Sequence, residues 1–273
     1  SYIRLTKVAA YPGAPSSNAT WHLRYSTSGS SAVYWGFHGA LSGTAGSNIP
    51  RTGETYYVSY TTPVPSTQFT AQTFTDSSDV LATYGAEASG SLSTAASLAL
   101  ENGAPAIICV QVSGSLNSAN YQTALDKLKK KTNVAYVVPL TSDSAVQTAV
   151  LSHCNQESSP IIGHERSCIL GLDPYTSVDN FVSKAQALDD KRAILVAPGS
   201  ATRTTSSGTI MTVRGPMIAA ALAGLITAQD KVVTPVTGKV ITGVVITDEQ
   251  YQPYELNLMG GNGVCILTSA SGV

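Results

Sequence analysis

The sequence predicts a two-domain protein, in which a small antiparallel β domain precedes an α/β domain with a mainly parallel sheet flanked by helices. Up to about residue 75 the chain contains only short strand-like runs separated by polar turns. Beyond that point helical and strand patterns alternate, which is typical of βα units around a parallel sheet. We therefore expect a peripheral β domain, an antiparallel barrel or sandwich, over 1–76 and the α/β body over 77–273.

The β domain is predicted from the runs 2–5, 21–25, 33–35 and 56–60, in which β-favouring aromatic and aliphatic residues alternate with polar ones. Turn-rich pieces such as PGAPSSN and TTPVPST separate these runs. His22 and His38 fall in or beside the strands, with no third metal ligand nearby in the sequence. We interpret them as strand or surface histidines.

The stretch 93–112 marks the change from an all-β pattern to alternating helices and strands. Asp76 first begins a short helix that ends at Gly85. Ser93 is then predicted to cap a second helix, and Asn102 with Gly103 to end it. The apolar run 106–112 follows, as expected of a strand that is covered on both faces.

Helices and strands alternate over the rest of the chain. Strands are predicted at 134–138, 193–197, 239–247 and 264–268, and a further extended strand segment is predicted to begin at 161–162. The helices between them are predicted to begin at Asn117 or Ser118, Asp143, Thr176 or Ser177, Gly215 with Pro216, and Thr247 in a capping box with Gln250.

The helix that begins at Gly215 carries Ala220, Gly224 and Ala228 at four-residue spacing. Residues four apart lie on one face of a helix. Because all three are small, this helix is predicted to approach another backbone closely.

Composition excludes several function classes. The net charge is −1 and charged residues are 12%, about half the roughly 25% of typical soluble domains. Nothing therefore indicates a polyanion such as nucleic acid as a partner. A Ser-, Thr- and Gly-rich surface suits a solvated protein or one packed in an assembly. No apolar run approaches the ~18 residues of a membrane span, and no signal peptide is present.

The first residue is not Met and the last residues stop in mid-pattern, so we expect a fragment of a longer chain. We predict a further mixed α/β region beyond Val273. A natural stop codon at that point would count against this reading.

The four cysteines, Cys109, Cys154, Cys168 and Cys265, show no CxxC and no metal-ligand spacing. We interpret them as buried small apolar residues in a protein of a reducing compartment. Cys154 and Cys168 could pair if the fold brings them together.

No motif for phosphate or dinucleotide binding is present, and residues 198–200 lack the second glycine of a GxSxG nucleophile elbow. The segment GGNG at 260–263 is interpreted as a helix stop and turn. We predict no catalytic, cofactor-binding or metal-binding residues.

Two alternatives stay open. An α/β hydrolase-like or thiol enzyme would use Cys154, His153 and His164, although neighbouring helical side chains point apart. An adhesion module of the von Willebrand A kind would need a DxSxS motif after a strand, which is missing.

Lys127 and the run 129–131 end a predicted helix, where cations meet the negative end of the helix dipole. The simple interpretation is a solvated helix end. The functional alternative is a docking patch for an acidic neighbour.

Several segments together resemble the tail sheath proteins of contractile, myovirus-type bacteriophages. Their order and spacing over roughly 53–267 carry the resemblance, rather than any one motif. The segments are GETYYVSYTT (53–62), FTDSSDVLATYG (74–85), LALENGAPAIICVQV (98–112), DDKRAILVAPG (189–199), VRGPMIAAALAGLITAQDKVVTPVTGKVITGVV (213–245) and GGNGVCIL (260–267).

The resemblance implies a structural virion protein, not an enzyme. Sheath subunits polymerise as stacked hexameric rings around the tail tube, and the baseplate triggers a contraction that drives the tube through the host envelope. It further implies assembly in the bacterial host cytoplasm, contacts with other copies, tube and baseplate, and no membrane insertion, nucleic acid or cofactor. An N-terminal arm and a C-terminal tube-facing part would lie outside this chain.

Overall fold

The computed structural model describes residues 4–5, 21–24, 34–37, 67–113, 116–205, 208–229, 234–246 and 251–268. The chain divides into two compact units, Ser1–Pro65 and Ser66–Val273. This division puts the strand at 71–74, which the sequence assigns to the β domain, into the second unit.

In the first unit, three strands form an antiparallel sheet: β1 (Arg4–Leu5), β2 (Trp21–Arg24) and β3 (Tyr34–Phe37). The register places Leu5 opposite Trp21, and Trp35 opposite Leu23. The predicted antiparallel sheet is therefore confirmed. The choice between barrel and sandwich, His38 and the run 56–60 lie outside the described residues.

The second unit alternates strands and helices. It begins with β4 (Ala71–Phe74), α1 (Ser77–Tyr84), α2 (Leu92–Glu101) and β5 (Ile107–Val110). The central βα units are α3 (Ser118–Leu128), β6 (Tyr136–Val137), α4 (Ser144–Glu157), β7 (Ser167–Gly171), α5 (Val178–Leu188) and β8 (Ala193–Ala197). It closes with β9 (Ser200–Thr204), β10 (Ile210–Arg214), α6 (Gly215–Thr227), α7 (Pro253–Gly261) and β11 (Val264–Ile266).

Four parallel strands form the central sheet, in the order β11-β8-β7-β6. Successive strand residues face opposite sides of a sheet. Cys168 and Leu170 accordingly pack in one core with α3, α4, α5 and α7, whereas Ile169 and Val196 pack in another with α2 and α6. The predicted α/β architecture, a parallel sheet flanked by helices, is confirmed.

Local capping explains where most helices begin. Asp76, Asn117, Asp143 and Ser177 are the N-caps of α1, α3, α4 and α5, and each side chain accepts a hydrogen bond from a backbone amide of the first turn. The Asp143 carboxylate, for example, lies 2.8 Å from the amide nitrogen of Val146. These positions agree with the sequence, because capping depends on residues close together in the chain.

The close approach predicted for α6 is present, and its partner is α2. A Cβ atom added at Gly224 would lie 2.2 Å from the carbonyl oxygen of Ala99. Only glycine therefore fits at this crossing of the two helices.

The apolar run 106–112 forms the predicted strand, β5, and the sequence did not predict its partner. The strand pairs antiparallel with β4 and lies outside the parallel sheet. Its two faces contact different cores: Ile108 packs against the core below α3 and α4, whereas Cys109 packs with Phe74 and Val80. This division explains why the run is continuously apolar although only Cys109 of the strand is fully buried.

One predicted helix start is wrong. The N-cap of α2 is Ser91, not Ser93, and its hydroxyl accepts from the amide of Thr94 at 3.2 Å. Ser93 is buried in the first turn and donates to the carbonyl of Ala86 at 3.2 Å.

The helix α7 begins at Pro253, and Gln252 and Glu255 form a capping box at its start. Thr247 and Gln250, for which the sequence predicts a capping box, lie outside the described residues.

Two predicted strands are also wrong. Ile161 and Ile162 form an exposed turn, in which the amide of Ile162 donates to Ser159 at 3.0 Å. β7 begins only at Ser167. Over the described part of 239–247, the chain makes a single antiparallel bridge, between Thr202 and Val245.

The strands β9 and β10 form an antiparallel hairpin that was not predicted from the sequence. It follows β8 directly after the cis peptide bond between Ala197 and Pro198. Its last residue leads straight into α6.

Candidate functional site

The histidine and cysteine of the enzyme alternative lie near the end of α4. His153 is 2% exposed and Cys154 is fully buried. Adjacent helical residues point in different directions, and the two side chains accordingly have different partners. His153 contacts Arg166, and Cys154 contacts Cys168 on β7.

Arg166 is the centre of a buried polar cluster. Its side chain is 0% exposed, and one terminal nitrogen lies 2.9 Å from Nε2 of His153. The other donates to the carbonyls of Leu128, at 3.1 Å, and Lys131. The Glu157 carboxylate lies 3.7 Å away. The guanidinium therefore ties the end of α3 to the end of α4.

The chemistry of Arg166 fixes the state of His153. A guanidinium only donates hydrogen bonds, so Nε2 of the imidazole must accept and its proton lies on Nδ1. Nδ1 is buried with no partner among the described residues. Burial and the charge of Arg166 lower the pKa of His153, so the ring is neutral at physiological pH.

His164 belongs to the same cluster from the opposite side. Its Nδ1 lies 3.1 Å from Oε2 of Glu157, whose side chain is 5% exposed. The Ser158 hydroxyl accepts from the amide of Arg166 at 2.8 Å and contacts the carbonyl of His164 at 3.3 Å. The turn between α4 and β7 is therefore held by the cluster.

The fold brings Cys154 and Cys168 together, as the sequence left possible. Their thiols form a hydrogen bond to each other inside the core that β7 shares with α3, α4, α5 and α7, which we call the main core. Neither cysteine forms a disulfide. This hydrogen bond lowers the pKa of Cys154 and raises the pKa of Cys168. Neither sulfur is exposed, so no substrate reaches them.

The remaining two cysteines are protected in a similar way. Burial raises the pKa of Cys109 to about 12 and also raises the pKa of Cys265. At neutral pH both remain thiols, which are poor nucleophiles. None of the four thiols is hydrogen-bonded to an imidazole in the described structure, so the nucleophile–base pair of a thiol enzyme does not form there.

The carboxyl ends of the parallel strands are the usual place for a ligand in an α/β fold. Here backbone atoms crowd this edge of the sheet. A Cβ atom at Gly199 would lie 2.0 Å from the carbonyl oxygen of Asp173, and one at Gly215 would lie 2.3 Å from that of Leu172. Close backbone packing between β7, β8 and α6 therefore occupies the space.

Polar side chains at this edge bind one another. Asp173 forms an ion pair with Arg214 and accepts from the Ser142 hydroxyl at 2.5 Å. These contacts, led by the Ser142 hydrogen bond, lower the pKa of Asp173. The group consists of one carboxylate with one cation, and it connects the loops that hold Ser142 and Asp173 to the end of β10.

A second buried arginine was missed by the sequence analysis. Arg203 of β9 is 2% exposed and binds Glu101 with both terminal nitrogens, at 2.9 and 2.7 Å. It also pairs with Glu87 and donates to the carbonyl of Gly243 at 3.3 Å. The hydrogen bonds to Glu101 are the largest cause that raises the pKa of Arg203 above its ordinary value, and the hydrogen bond to Glu87 adds to this effect. Arg203 thus connects α2, the hairpin and two loops.

Other site chemistry is sparse in the described parts of the chain. A surface depression of about 450 Å³ on α4 is lined by Thr148, Leu151, Ser152, Asn155 and Gln156, none of which ionises. Among the described residues, no group of three His, Cys, Asp or Glu side chains could hold a metal ion. Within the same ranges no helix has the length and hydropathy needed to cross a membrane.

The lysine run lies where the sequence predicts, at the end of α3. Lys127, Lys129 and Lys130 are exposed, and Lys131 is half-buried. Lys129 pairs with Asp126 at 2.8 Å, and this contact raises the pKa of the lysine.

The described fold is that of an α/β protein, and the chain is similar to phage tail sheath proteins. One such relative is the tail sheath protein of Mycobacterium phage Bxz1, which is 29% identical over 184 residues. The match covers 62% of this chain and 31% of that protein, so the chain spans about a third of its relative's length. The resemblance predicted from the sequence is confirmed.

A structural match to a second sheath protein is weaker. A sheath tail protein from Listeria innocua aligns in structure with a TM-score of 0.44 and 12% identity, over 99% of this chain and 46% of that one. No family model matches the sequence.

Proposed function

We propose that this chain is part of a structural subunit of a contractile bacteriophage tail sheath. The observation that carries the proposal is the 29% identity, over 184 residues, to the tail sheath protein of Mycobacterium phage Bxz1. The subunit polymerises as stacked hexameric rings around the tail tube. Contraction of these rings drives the tube through the host envelope.

In this proposal the α/β region over 77–273 forms part of the sheath body, and the β region over 1–76 is peripheral. The internal packing supports such a role. Gly224 against Ala99 and the arginine clusters at Arg166 and Arg203 hold the layers together at contact distance. A rigid subunit lets a lattice change by rotating contacts between copies, which is a common form of switching.

The proposed partners are other copies of the protein, the tail tube protein and the baseplate. The last two contacts belong to parts of the subunit outside this chain. The protein works in the virion tail after assembly in the host cytoplasm.

The proposed role is not enzymatic. The buried state of Cys154 and His153, which contact other groups rather than each other, supports this view. The enzyme alternative has no accessible nucleophile in this region.

Electron microscopy of the full-length purified protein tests the proposal. We expect regular hollow tubes, and we expect Cys154→Ala and His164→Ala to form the same tubes because neither residue has a proposed role in assembly. A soluble monomer that turns over an ester or thioester, and loses this activity in Cys154→Ala, would contradict the proposal.

A further inference from the structure

The end of α3 carries an unusual concentration of positive charge. Lys127, Lys129, Lys130 and Lys131 account for four of the 16 lysines and arginines of the chain. Only Lys129 has an ion-pair partner among the described residues, namely Asp126. The other three ammonium groups thus carry charge that nothing within the described structure compensates.

These lysines are not needed to end the helix. The carbonyls of Leu128 and Lys131 accept hydrogen bonds from Arg166, so the buried guanidinium already meets the negative end of the helix dipole. The simple interpretation of the run, as a solvated helix end whose cations meet the helix dipole, therefore leaves its charge unexplained.

An exposed apolar turn is tied to the same buried cluster. Ile161 is 96% exposed and Ile162 is 44% exposed. The backbone of the turn is held by two hydrogen bonds. The amide of Gly163 donates to the backbone carbonyl of Ser159 at 2.8 Å, and the amide of His164 donates to that of Glu157 at 2.9 Å. Exposed apolar side chains together with charged ones are the composition of a protein interface, with an apolar centre and a polar rim. We call the four lysines and these two isoleucines the basic end.

A complementary surface exists on the chain itself. Residues 52–126 contain no lysine, arginine or histidine, although they include six carboxylates. Among the described ones, Glu87 and Glu101 pair with Arg203, and Asp126 pairs with Lys129. Two carboxylates therefore remain without a cation.

These are Asp76 and Asp79, at the start of α1, and both are exposed. Hydrogen bonds from Ser78 lower the pKa of Asp76, so its charge persists well below neutral pH. We call Asp76 and Asp79 the acidic turn.

We propose that the basic end of one copy docks on the acidic turn of a second copy. The inference rests on the proposed function, which requires contacts between copies, and it names two surfaces that make one. Because the two surfaces differ, the contact is heterologous, and a heterologous contact repeats from copy to copy to build rings or open helices. Since the charges are exposed, salt should weaken the contact.

Charge-reversal variants of the full-length protein test the docking. The measured quantity is the critical concentration for assembly, from light scattering and pelleting, at about 0.05 M and about 0.5 M salt, where the Debye length shrinks severalfold. Lys127→Glu/Lys130→Glu should raise it roughly tenfold or more, as expected for loss of about two ion pairs plus new repulsion. Lys191→Glu/Lys239→Glu is the matched control, because it reverses two exposed lysines elsewhere.

The acidic turn is tested from the other side. Asp79→Lys should raise the critical concentration, and combining it with Lys130→Glu should restore assembly toward the original level. Asp76→Asn removes a charge but keeps a good N-cap, so it separates charge from helix stability. Thermal unfolding of each variant checks that the fold is retained.

The outcomes separate the docking from the sheath function. Tubes that form equally well with the basic end reversed overturn the docking and leave the sheath function standing. Reversals that weaken assembly without mutual rescue show that the basic end binds another surface, which also overturns it. If the unaltered protein never assembles, both proposals fail.

Discussion

The contact between α2 and α6 gives the sharpest test of the packing. Gly224→Ala would place a methyl group 2.2 Å from the carbonyl oxygen and 2.9 Å from Cα of Ala99. Both are backbone atoms, so no rotamer change can relieve the overlap. The helices must separate by about 1 Å, and such overpacking costs about 2–3 kcal/mol.

The same substitution gains about 1 kcal/mol from helix propensity, which leaves a net loss of about 1–2 kcal/mol. In a protein of this size, that loss lowers the unfolding temperature by roughly 2–8 °C. Gly260→Ala in α7 is the matched control, because its nearest neighbour, Cδ1 of Ile266, would lie 3.9 Å away. The control should gain about 0.5–1 kcal/mol.

Thermal and urea unfolding, followed by circular dichroism, measure both variants. The expected result is opposite signs for the two alanines. If Gly224→Ala is as stabilising as Gly260→Ala, the helices are not in the contact described and the packing argument is wrong.

Three more predictions concern the buried groups. Arg166→Met should destabilise the fold by about 3–5 kcal/mol in urea unfolding, because Glu157 keeps a buried charge without its guanidinium; adding Glu157→Gln should recover part of the loss. The pKa of His153 is lowered in the folded state, so the free energy of unfolding should fall as pH drops below about 6.5, and His153→Gln should flatten this dependence. Without denaturant, a thiol reagent should label the half-buried Cys265 first and the fully buried Cys154 only after unfolding, as followed by mass spectrometry.

Each of these has a clear contrary result. A double variant no more stable than Arg166→Met would show that the carboxylate is not the source of the loss. If the free energy of unfolding of His153→Gln falls with pH as steeply as that of the unaltered protein, other titrating groups cause the dependence. Fast labelling of Cys154 in the folded protein would mean that the main core opens readily.

The starts of α1, α3, α4 and α5 and the close approach of α6 to another helix could be predicted because their causes are local. Asp143 and Ser177 cap the residues directly after them, and Gly224 lies in a small-residue pattern within one helix. In each case the determining residues lie within a few positions.

The buried arginines could not be predicted, because their partners are distant in the chain. Arg203 and Glu101 are 102 positions apart, and Arg166 and Leu128 are 38 apart. In the sequence, a buried arginine looks like any surface cation. The antiparallel pairing of β5 was missed for a related reason, since a strand between two cores is as apolar as one inside a parallel sheet.

The crowded strand ends did carry a sequence pattern. Gly171, Gly199 and Gly215 each follow or end a strand, where glycine can mean either a ligand loop or close backbone contact. Only the folded structure distinguishes a ligand loop from close backbone contact, because the neighbouring backbone comes from another element. The contact of Gly215 with Leu172 decides for packing.

Cryo-electron microscopy of phage particles that carry the protein, before and after contraction, tests the central claim most directly. The account predicts that the α/β unit repeats around the outside of the tail tube. It also predicts that contraction shortens the axial spacing between repeats, while the packing of α2 on α6 stays unchanged. Absence of the unit from the tail, or one identical spacing in both states, would contradict it.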